Sequence, residues 1–185
     1  LGPHKAPHFW KPPPRRPPGP RRGGPPPASR APVTWHVRPH KNQPVTMSEK
    51  NKALVHAFVE AINEQDWPRL RGLVGERFVR HSVAAGESSV QSGEALVAFL
   101  KMEFSTFPDA RETLLDLVAE NDKVAARHQF RGTQLGSMGP YPASGRVLNA
   151  TYLAIYRIEN ERIVEAWAEW DNLAGLKQLG HHSAA

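Results

Sequence analysis

The chain of 185 residues has no cysteine. This absence excludes a disulfide framework, a thiolate nucleophile and a cysteine-based zinc site. No apolar run approaches the ~20 residues that a membrane-spanning helix needs, and the first 46 residues lack the apolar core of a signal peptide. Any chemistry must therefore come from histidine, carboxylate, tyrosine, serine or threonine side chains. We expect a cytoplasmic protein with no membrane partner.

Acidic residues are absent from residues 1–46, which hold nine lysines or arginines and 14 of the 18 prolines. Residues 47–185 hold the other 15 basic residues and all 18 acidic ones, so their formal charge is −3. The isoelectric point near 9.9 is thus a property of the first segment alone. Because the part that can fold is mildly acidic, we expect no specific nucleic-acid partner.

The proline-rich segment cannot bury a core, because proline blocks helices and few large apolar residues are present. We expect residues 1–46 to be a disordered, polyproline-like extension outside the functional unit. Two functional alternatives are a groove-binding ligand, through KPPPRRPP, and an arm that binds polyanions. Met47 begins a different pattern, and residues 47–185 are the predicted domain.

Three helices are predicted between Met47 and Pro108. The first has Ser48 as its cap and an apolar stripe at helical spacing, formed by Leu54, Val55, Phe58, Val59 and Ile62. Pro68 suits the start of a short second helix that ends at Gly75. The third helix follows SGEALVAFLKMEFSTF and stops at Pro108.

Strands are predicted after the helices. Residues 113–120 and 123–133 are joined by AEND, and residues 146–159 and 162–171 by ENE. Strands with such short links are antiparallel. Residues 78–81 form a further short extended piece. The predicted fold class is α+β, with three N-terminal helices packed on a strongly curved antiparallel sheet that forms a cone with one cavity.

The last strand carries EAWAEWD, residues 165–171. Because side chains alternate along a strand, Glu165, Trp167, Glu169 and Asp171 share one face, and Trp170 lies on the other with Val164, Ala166 and Ala168. The acidic and aromatic face is the predicted cavity wall, although a solvated edge is the alternative. The small apolar face suits packing against the helices or a partner subunit.

Several separated motifs together resemble one family: FVRHSV, the third helix with its Phe-Pro-Asp, LVAENDKVAARHQFRGTQLG, PASGRV and RIVEAWAEWDNLAGLKQLG. In this order they are similar to the SnoaL-like polyketide cyclases, or ester cyclases, of the nuclear-transport-factor-2-like superfamily. The resemblance spans roughly residues 49–180. It implies an α+β cone with a deep apolar cavity and a cofactor-free intramolecular aldol closure of a polyketide ester.

The resemblance also implies roles for individual residues. Asp171 matches the family's acid/base catalyst near the end of the final strand, and Trp167 would raise the pKa of its carboxyl group by desolvation. His81 matches a family histidine that acts as a relay, although it can equally tie its strand to the next loop. Glu169 completes the substrate-binding wall.

Arg127 matches a family arginine that can hold a substrate carbonyl or carboxylate, but we favour an ion pair with Glu165 or Glu169 across neighbouring strands. Gln134 stands where relatives commonly have histidine. It can bind substrate but cannot titrate, which weakens the case for an identical reaction. His128 is expected in the core or at an interface.

Tyr152 and Tyr156 either line the cavity or cover the sheet, and we favour the second reading. The adjacent His181 and His182 lack the spacing of a metal site, so neither a metal nor another cofactor is expected.

Three functions compete. The first is a cyclase-like enzyme acting on a small apolar substrate, with Asp171 and His81 as its catalytic residues. The second is an epoxide-hydrolase-like enzyme that uses an Asp-Arg-Asp arrangement, for which Asp171 and Arg127 supply two members. The third is a non-catalytic module that binds a small apolar ligand or forms a dimer. A homodimer through the outer sheet face near Trp170 is expected in each case.

Overall fold

The computed structural model describes residues 46–82 and 90–182. The predicted extension, residues 1–46, lies outside the described residues except for Thr46. The four helices and five strands follow one another as α1 (Met47–Asn63), α2 (Trp67–Leu73), β1 (Val74–His81), α3 (Gly93–Thr106), β2 (Arg111–Glu120), β3 (Lys123–Thr133), β4 (Val147–Glu159), β5 (Arg162–Trp170) and α4 (Asn172–Leu179). Of the helices in these two ranges, none has the length and apolar content needed to cross a bilayer.

Capping side chains define where the helices begin. Thr46, rather than the predicted Ser48, caps α1 by accepting a hydrogen bond from the backbone N–H of Glu49. Ser92 caps α3 as its sequence suggests, and Asp66 caps α2. The apolar stripe of α1 is buried against the sheet, and Val55 is fully buried.

The five strands form one sheet in the order β1-β5-β4-β3-β2. The two predicted hairpins, β2–β3 and β4–β5, are confirmed as antiparallel, and their tight turns place Asn121, Asn160 and Glu161 at positive φ. The prediction of a wholly antiparallel sheet is wrong, because β1 pairs with β5 in parallel. Since α3 separates β1 from the meander, no hairpin dictates its direction.

The α+β architecture is confirmed, with two additions. β1 begins directly after α2 at Val74, so the strand is longer than the predicted piece at residues 78–81. A fourth helix, α4, follows β5 and ends at Gly180, whose φ of +77° is the left-handed conformation that favours glycine. The sequence pattern predicts a last strand that ends at residue 171 and no element after it, whereas α4 forms part of a cavity wall.

The helices cover one face of the sheet, and two cavities lie between them and that face. On β5 the buried side chains are those of Ile163, Ala166 and Ala168. The face expected to pack against the helices therefore also lines the cavity. The predicted cavity wall of Glu165, Trp167 and Glu169 does not form, because none of the three lines the cavities between the sheet and the helices. Glu165 instead borders an open groove on the free side of the sheet.

Candidate active site

Two adjacent cavities lie between the helices and the sheet. The outer one has a volume of about 110 Å³ and is lined mostly by apolar side chains of β3, β4, β5 and α4, together with the carboxylates of Glu103 and Asp171. The inner one, about 50 Å³, reaches Glu112, Tyr152 and Tyr156. Glu103 and Trp170 line both cavities. A ligand in the outer cavity is thus in contact with the residues that border the inner one.

Three stacked rings cross the sheet next to these cavities. His128, Tyr152 and Trp170 occupy directly paired positions on β3, β4 and β5. The ring centroids of His128 and Tyr152 are 4.5 Å apart, and those of Tyr152 and Trp170 are 4.0 Å apart. Because each ring is held between neighbours on paired strands, its orientation is fixed by backbone register. Two members of the stack, Tyr152 and Trp170, line the inner cavity.

A buried polar cluster surrounds this stack. The Tyr152 hydroxyl donates to Glu112 Oε2 at 2.7 Å, and the Tyr156 hydroxyl lies 3.0 Å from His128 Nε2. His128 is fully buried, and its Nδ1 lies 3.2 Å from Glu112 Oε2, within ion-pair distance. The imidazole and the carboxylate are not aligned for a hydrogen bond, so Nδ1 has no hydrogen-bond partner among the described residues. Buried polar atoms without such a partner are uncommon and costly.

The two tyrosines of this cluster are held in their neutral form. Burial raises the pKa of both Tyr152 and Tyr156 well above 10, and the nearby charge of Glu112 raises the pKa further in each case. A neutral phenol retains its proton at physiological pH and can donate a hydrogen bond. Two neutral phenols therefore border the inner cavity, and one of them, Tyr152, already donates a hydrogen bond to Glu112.

Asp171 lies at the junction of β5 and α4. It caps α4, and its Oδ1 accepts a hydrogen bond from the backbone N–H of Ala174 at 2.9 Å. The side chain is exposed and also lines the outer cavity. Its carboxylate can therefore contact a ligand as well as solvent.

The sequence pattern of the SnoaL-like polyketide cyclases matches residues 52–179, which is most of the chain. This protein belongs to the SnoaL-like polyketide cyclase family. The family assignment made from the sequence motifs is confirmed. No curated protein sequence matches the chain.

Solved structures support the same family and fold. TsrD from Streptomyces laurentii is 32% identical, with a TM-score of 0.64 over 72% of this chain and 96% of its own. IdmH from Streptomyces antibioticus is 30% identical, with a TM-score of 0.62 over 70% of this chain and 98% of its own. A SnoaL-like protein from Jannaschia Sp. CCS1 shares the fold at 17% identity, with a TM-score of 0.66 over 77% of this chain and 99% of its own.

In this SnoaL-like domain, His81 and Trp167 lie on the outer face of the sheet. They are paired residues of β1 and β5, and their rings stack with centroids 5.3 Å apart. His81 Nε2 is 2.8 Å from Glu165 Oε1, and Arg157 donates to the other oxygen of that carboxylate. The hydrogen bonds from Arg157 and then His81 lower the pKa of Glu165. The structure does not bring His81 to either cavity.

Arg127 and Glu169 are also on the outer face. Arg127 Nε donates to Asp116 Oδ2 at 2.7 Å, across the paired strands β2 and β3. The expected ion pair with Glu165 or Glu169 was wrong, because Asp116 is the direct neighbour on β2. The Asp-Arg-Asp arrangement considered for an epoxide hydrolase is not supported, since Arg127 and Asp171 are separated by the sheet.

Gln134 is fully buried but lines neither cavity. Its side-chain Nε2 donates to the carbonyl of Pro142 at 3.1 Å, and its Oε1 lies 2.7 Å from His181 Nε2. Both ends of the amide are thus bonded to protein groups. The geometry gives Gln134 a place in anchoring the loop after β3 to the C-terminal end of the chain.

Sequence reasoning missed the acidic members of the site and misjudged its tyrosines. The expectation that Tyr152 and Tyr156 cover the sheet was wrong, because both line the inner cavity. One available signal was the alternation Tyr-x-Ala-x-Tyr on β4, which places two hydroxyls on the apolar face. No comparable signal marked Glu112, because only the register of β2 brings it beside His128.

Proposed function

We propose that this protein is a cofactor-independent, cyclase-like enzyme that closes a ring by an intramolecular aldol-type reaction on a small apolar substrate. The observation that carries the proposal is the position of Asp171. Its solvent-connected carboxylate lies at the apolar outer cavity, and two neutral phenols lie at the adjoining inner one. Family membership supports a cyclase-like role.

The reaction needs a base and an acid at different points. In our proposal, the carboxylate of Asp171 removes a proton from the carbon next to one carbonyl group. The resulting enolate carbon attacks a second carbonyl of the same molecule, a C–C bond forms, and the second carbonyl oxygen becomes an alkoxide. A proton donated to this alkoxide completes the step. Two titratable groups whose environments push their pKa values apart are suited to act as such an acid and base.

The cavity dimensions favour a compact, largely apolar substrate. An apolar cavity of about 150 Å³ is known to hold one benzene ring, and the outer cavity here is somewhat smaller, at about 110 Å³. Trp170 and neighbouring apolar side chains provide contact area, whereas few polar groups face the ligand. One ring or a short acyl chain fits this space, and larger substituents would extend through its opening.

A direct test uses 1-(2-acetylphenyl)propan-2-one, a diketone whose aldol closure and loss of water give the fluorescent 3-methyl-1-naphthol. We expect Asp171→Asn to reduce closure by about 100-fold or more, as removal of an acid/base group does. Asparagine caps helices about as well as aspartate, so α4 should be retained. The matched control is Asp66→Asn, which changes the equivalent cap of α2 and should leave closure unaffected.

The proposed role of Asp171 fails if Asp171→Asn closes the diketone within tenfold of the wild-type rate. In that case Glu103→Gln becomes informative, because Glu103 borders both cavities, whereas the carboxylate of Glu112 borders only the inner one. Saturable binding of the diketone without closure by the wild-type protein would favour the non-catalytic binding module. The roles predicted for His81, Arg127 and Gln134 would require them to act from outside the cavities.

We also propose a homodimer through the outer face of the sheet. The apolar residues exposed there are Val118, Leu153 and Ile155, with 69%, 61% and 43% of their surface accessible. Trp170, expected at this interface, lies on the opposite face. Sedimentation of a single species at dimer mass would agree with the proposal, and Leu153→Glu should then give monomers. A cytoplasmic location stays a prediction.

A further inference from the structure

We propose that the Tyr156 hydroxyl donates the proton that completes ring closure, and that His128 relays a proton to Tyr156 with Glu112 as the counter-ion of its ring. This inference rests on the proposed aldol-type reaction and assigns the acid that the reaction requires. It also predicts which of the two carbonyl groups enters the inner cavity. None of these three residues belongs to the catalytic set predicted from the sequence.

The geometry of the three side chains forms a continuous path. Tyr156 lines the inner cavity, and its hydroxyl lies 3.0 Å from His128 Nε2. The other ring nitrogen of His128 lies 3.2 Å from Glu112 Oε2. In the described part of the chain that nitrogen makes no hydrogen bond, although it is fully buried. A proton on Nδ1 would be stabilised by the adjacent carboxylate once a small shift aligns the two groups.

The proton transfers balance along this path. With Nε2 protonated and donating to the phenolic oxygen, the Tyr156 hydroxyl is free to donate to a substrate oxygen. When the alkoxide forms, the Tyr156 proton moves to it and the Nε2 proton of His128 moves to Tyr156. His128 keeps its Nδ1 proton beside Glu112, so the buried pair loses one positive charge. Asp171 releases the proton taken from carbon to solvent, and His128 regains one from solvent through Tyr156, so a turnover consumes no net proton.

The neutral state of Tyr156 suits this role. Its raised pKa, caused by burial and then by the charge of Glu112, keeps the proton in place until a strongly basic alkoxide appears. Tyr152 is less suited, because its hydroxyl already donates to Glu112 at 2.7 Å. Tyr152 is therefore a positioning residue that holds the Glu112 carboxylate, and Tyr156 is the proposed catalytic acid.

The size of the inner cavity sets the substrate class. At about 50 Å³ it holds a carbonyl group with a small substituent such as hydrogen or methyl. The enolisable carbon then lies in the larger outer cavity near Asp171, and Trp170 contacts both parts of the molecule. We therefore infer a compact dicarbonyl substrate whose acceptor carbonyl is a methyl ketone or an aldehyde rather than an aryl ketone.

The experiment separates the two halves of the reaction with the same diketone in deuterated buffer. Deuterium uptake next to the donor carbonyl measures proton removal, and naphthol fluorescence measures closure. Tyr156→Phe should keep deuterium uptake within about threefold and lose closure by about 100-fold or more. His128→Gln should likewise retain deuterium uptake and lose closure, because glutamine can form a hydrogen bond with the Tyr156 phenol but cannot relay a proton to it.

Two comparisons make the result specific. Tyr152→Phe should reduce closure less than Tyr156→Phe does, and Tyr141→Phe, which changes a tyrosine outside both cavities, should have no effect. An analogue with phenyl in place of methyl on the acceptor carbonyl should exchange deuterium but close at least tenfold more slowly. This inference is overturned if Asp171→Asn loses deuterium uptake while Tyr156→Phe shows no selective loss of closure. The proposed function would then remain intact. Equal uptake and closure in Asp171→Asn and wild type would instead reject the assigned base.

Discussion

The hydrogen bond between Tyr156 and His128 can be measured through stability, without any substrate. Both groups are buried, and the bond joins the phenolic oxygen to Nε2 at 3.0 Å. Replacing either partner alone leaves the other polar group buried without that bond, which costs about 1–3 kcal/mol. Replacing both with apolar groups removes the unsatisfied atoms together. A double-mutant cycle therefore isolates the interaction.

We expect His128→Leu and Tyr156→Phe each to lower the free energy of unfolding by about 1–3 kcal/mol. The double variant should be more stable than the sum of the single effects predicts, by about 1–2 kcal/mol. The stacking of His128 on Tyr152 is lost in both variants that lack the imidazole, so this contribution cancels in the cycle. Urea unfolding followed by circular dichroism provides the four free energies.

The control cycle combines Tyr156→Phe with Gly72→Ala. Gly72 lies in α2, and a Cβ atom added there meets nothing within 4 Å. Its effect should be additive with that of Tyr156→Phe. If the His128 and Tyr156 effects were also additive within about 0.5 kcal/mol, the bond would be absent in solution. The proton path proposed through it would then have no structural basis.

Three further predictions concern backbone packing and pH. Gly136→Ala should lower the free energy of unfolding by about 1–3 kcal/mol, because the added Cβ would lie 2.5 Å from a backbone carbonyl oxygen of α3. Gly72→Ala, whose added Cβ meets nothing within 4 Å, should leave the free energy of unfolding unchanged or raise it. Urea unfolding measures both variants. Hydrogen bonds from the backbone N–H and hydroxyl of Thr133 lower the pKa of Asp109 in the folded protein. The ionised carboxylate of Asp109 therefore stabilises the fold fully above the unfolded-state pKa of about 4. This stabilisation is lost as the pH falls through the lower pKa of the folded state. Asp109→Asn should therefore lower the melting temperature at pH 7 more than at pH 3, and an equal loss at both would contradict this. The two buried tyrosines, Tyr152 and Tyr156, have raised pKa values in the folded protein. The stability that their neutral phenols contribute is therefore complete below about pH 10 and is lost as the pH rises above it. Their tyrosinate absorbance should appear only with unfolding, and reversible ionisation in the folded protein would refute their burial.

Local patterns in the sequence were sufficient for most of the fold. The α1 stripe, the start of α3 at Ser92 and the tight turns before β3 and β5 depend on short-range physical preferences, namely capping, amphipathic spacing and turn residues. The structure agrees with each of these. The direction of β1 depends on a pairing with β5 across most of the domain, and no local pattern encodes that pairing.

The candidate site was harder to predict because its residues come together only through register. Alternation along β5 correctly divided Trp167 from Trp170, but it does not state which face the helices cover. Because the helices cover the opposite face, Glu165, Trp167 and Glu169 lie on the outer face of the sheet. His128 was expected in the core, where it is found, although the sequence contains no indication that Glu112 and Tyr156 flank its two nitrogens.

The parallel pairing of β1 with β5 also has a consequence during synthesis on the ribosome. Val74 pairs with Ile163, and within residues 46–82 and 90–182 β5 is the one strand that borders β1 in the sheet. At 5–20 residues per second, the ribosome needs on the order of ten seconds to produce β5 after β1 has emerged. During this interval the apolar residues of β1, such as Phe78, lack their partner strand. The domain should therefore complete its sheet only after translation of the C-terminal strand, and nascent chains that stop before β5 should depend on chaperones to remain unaggregated.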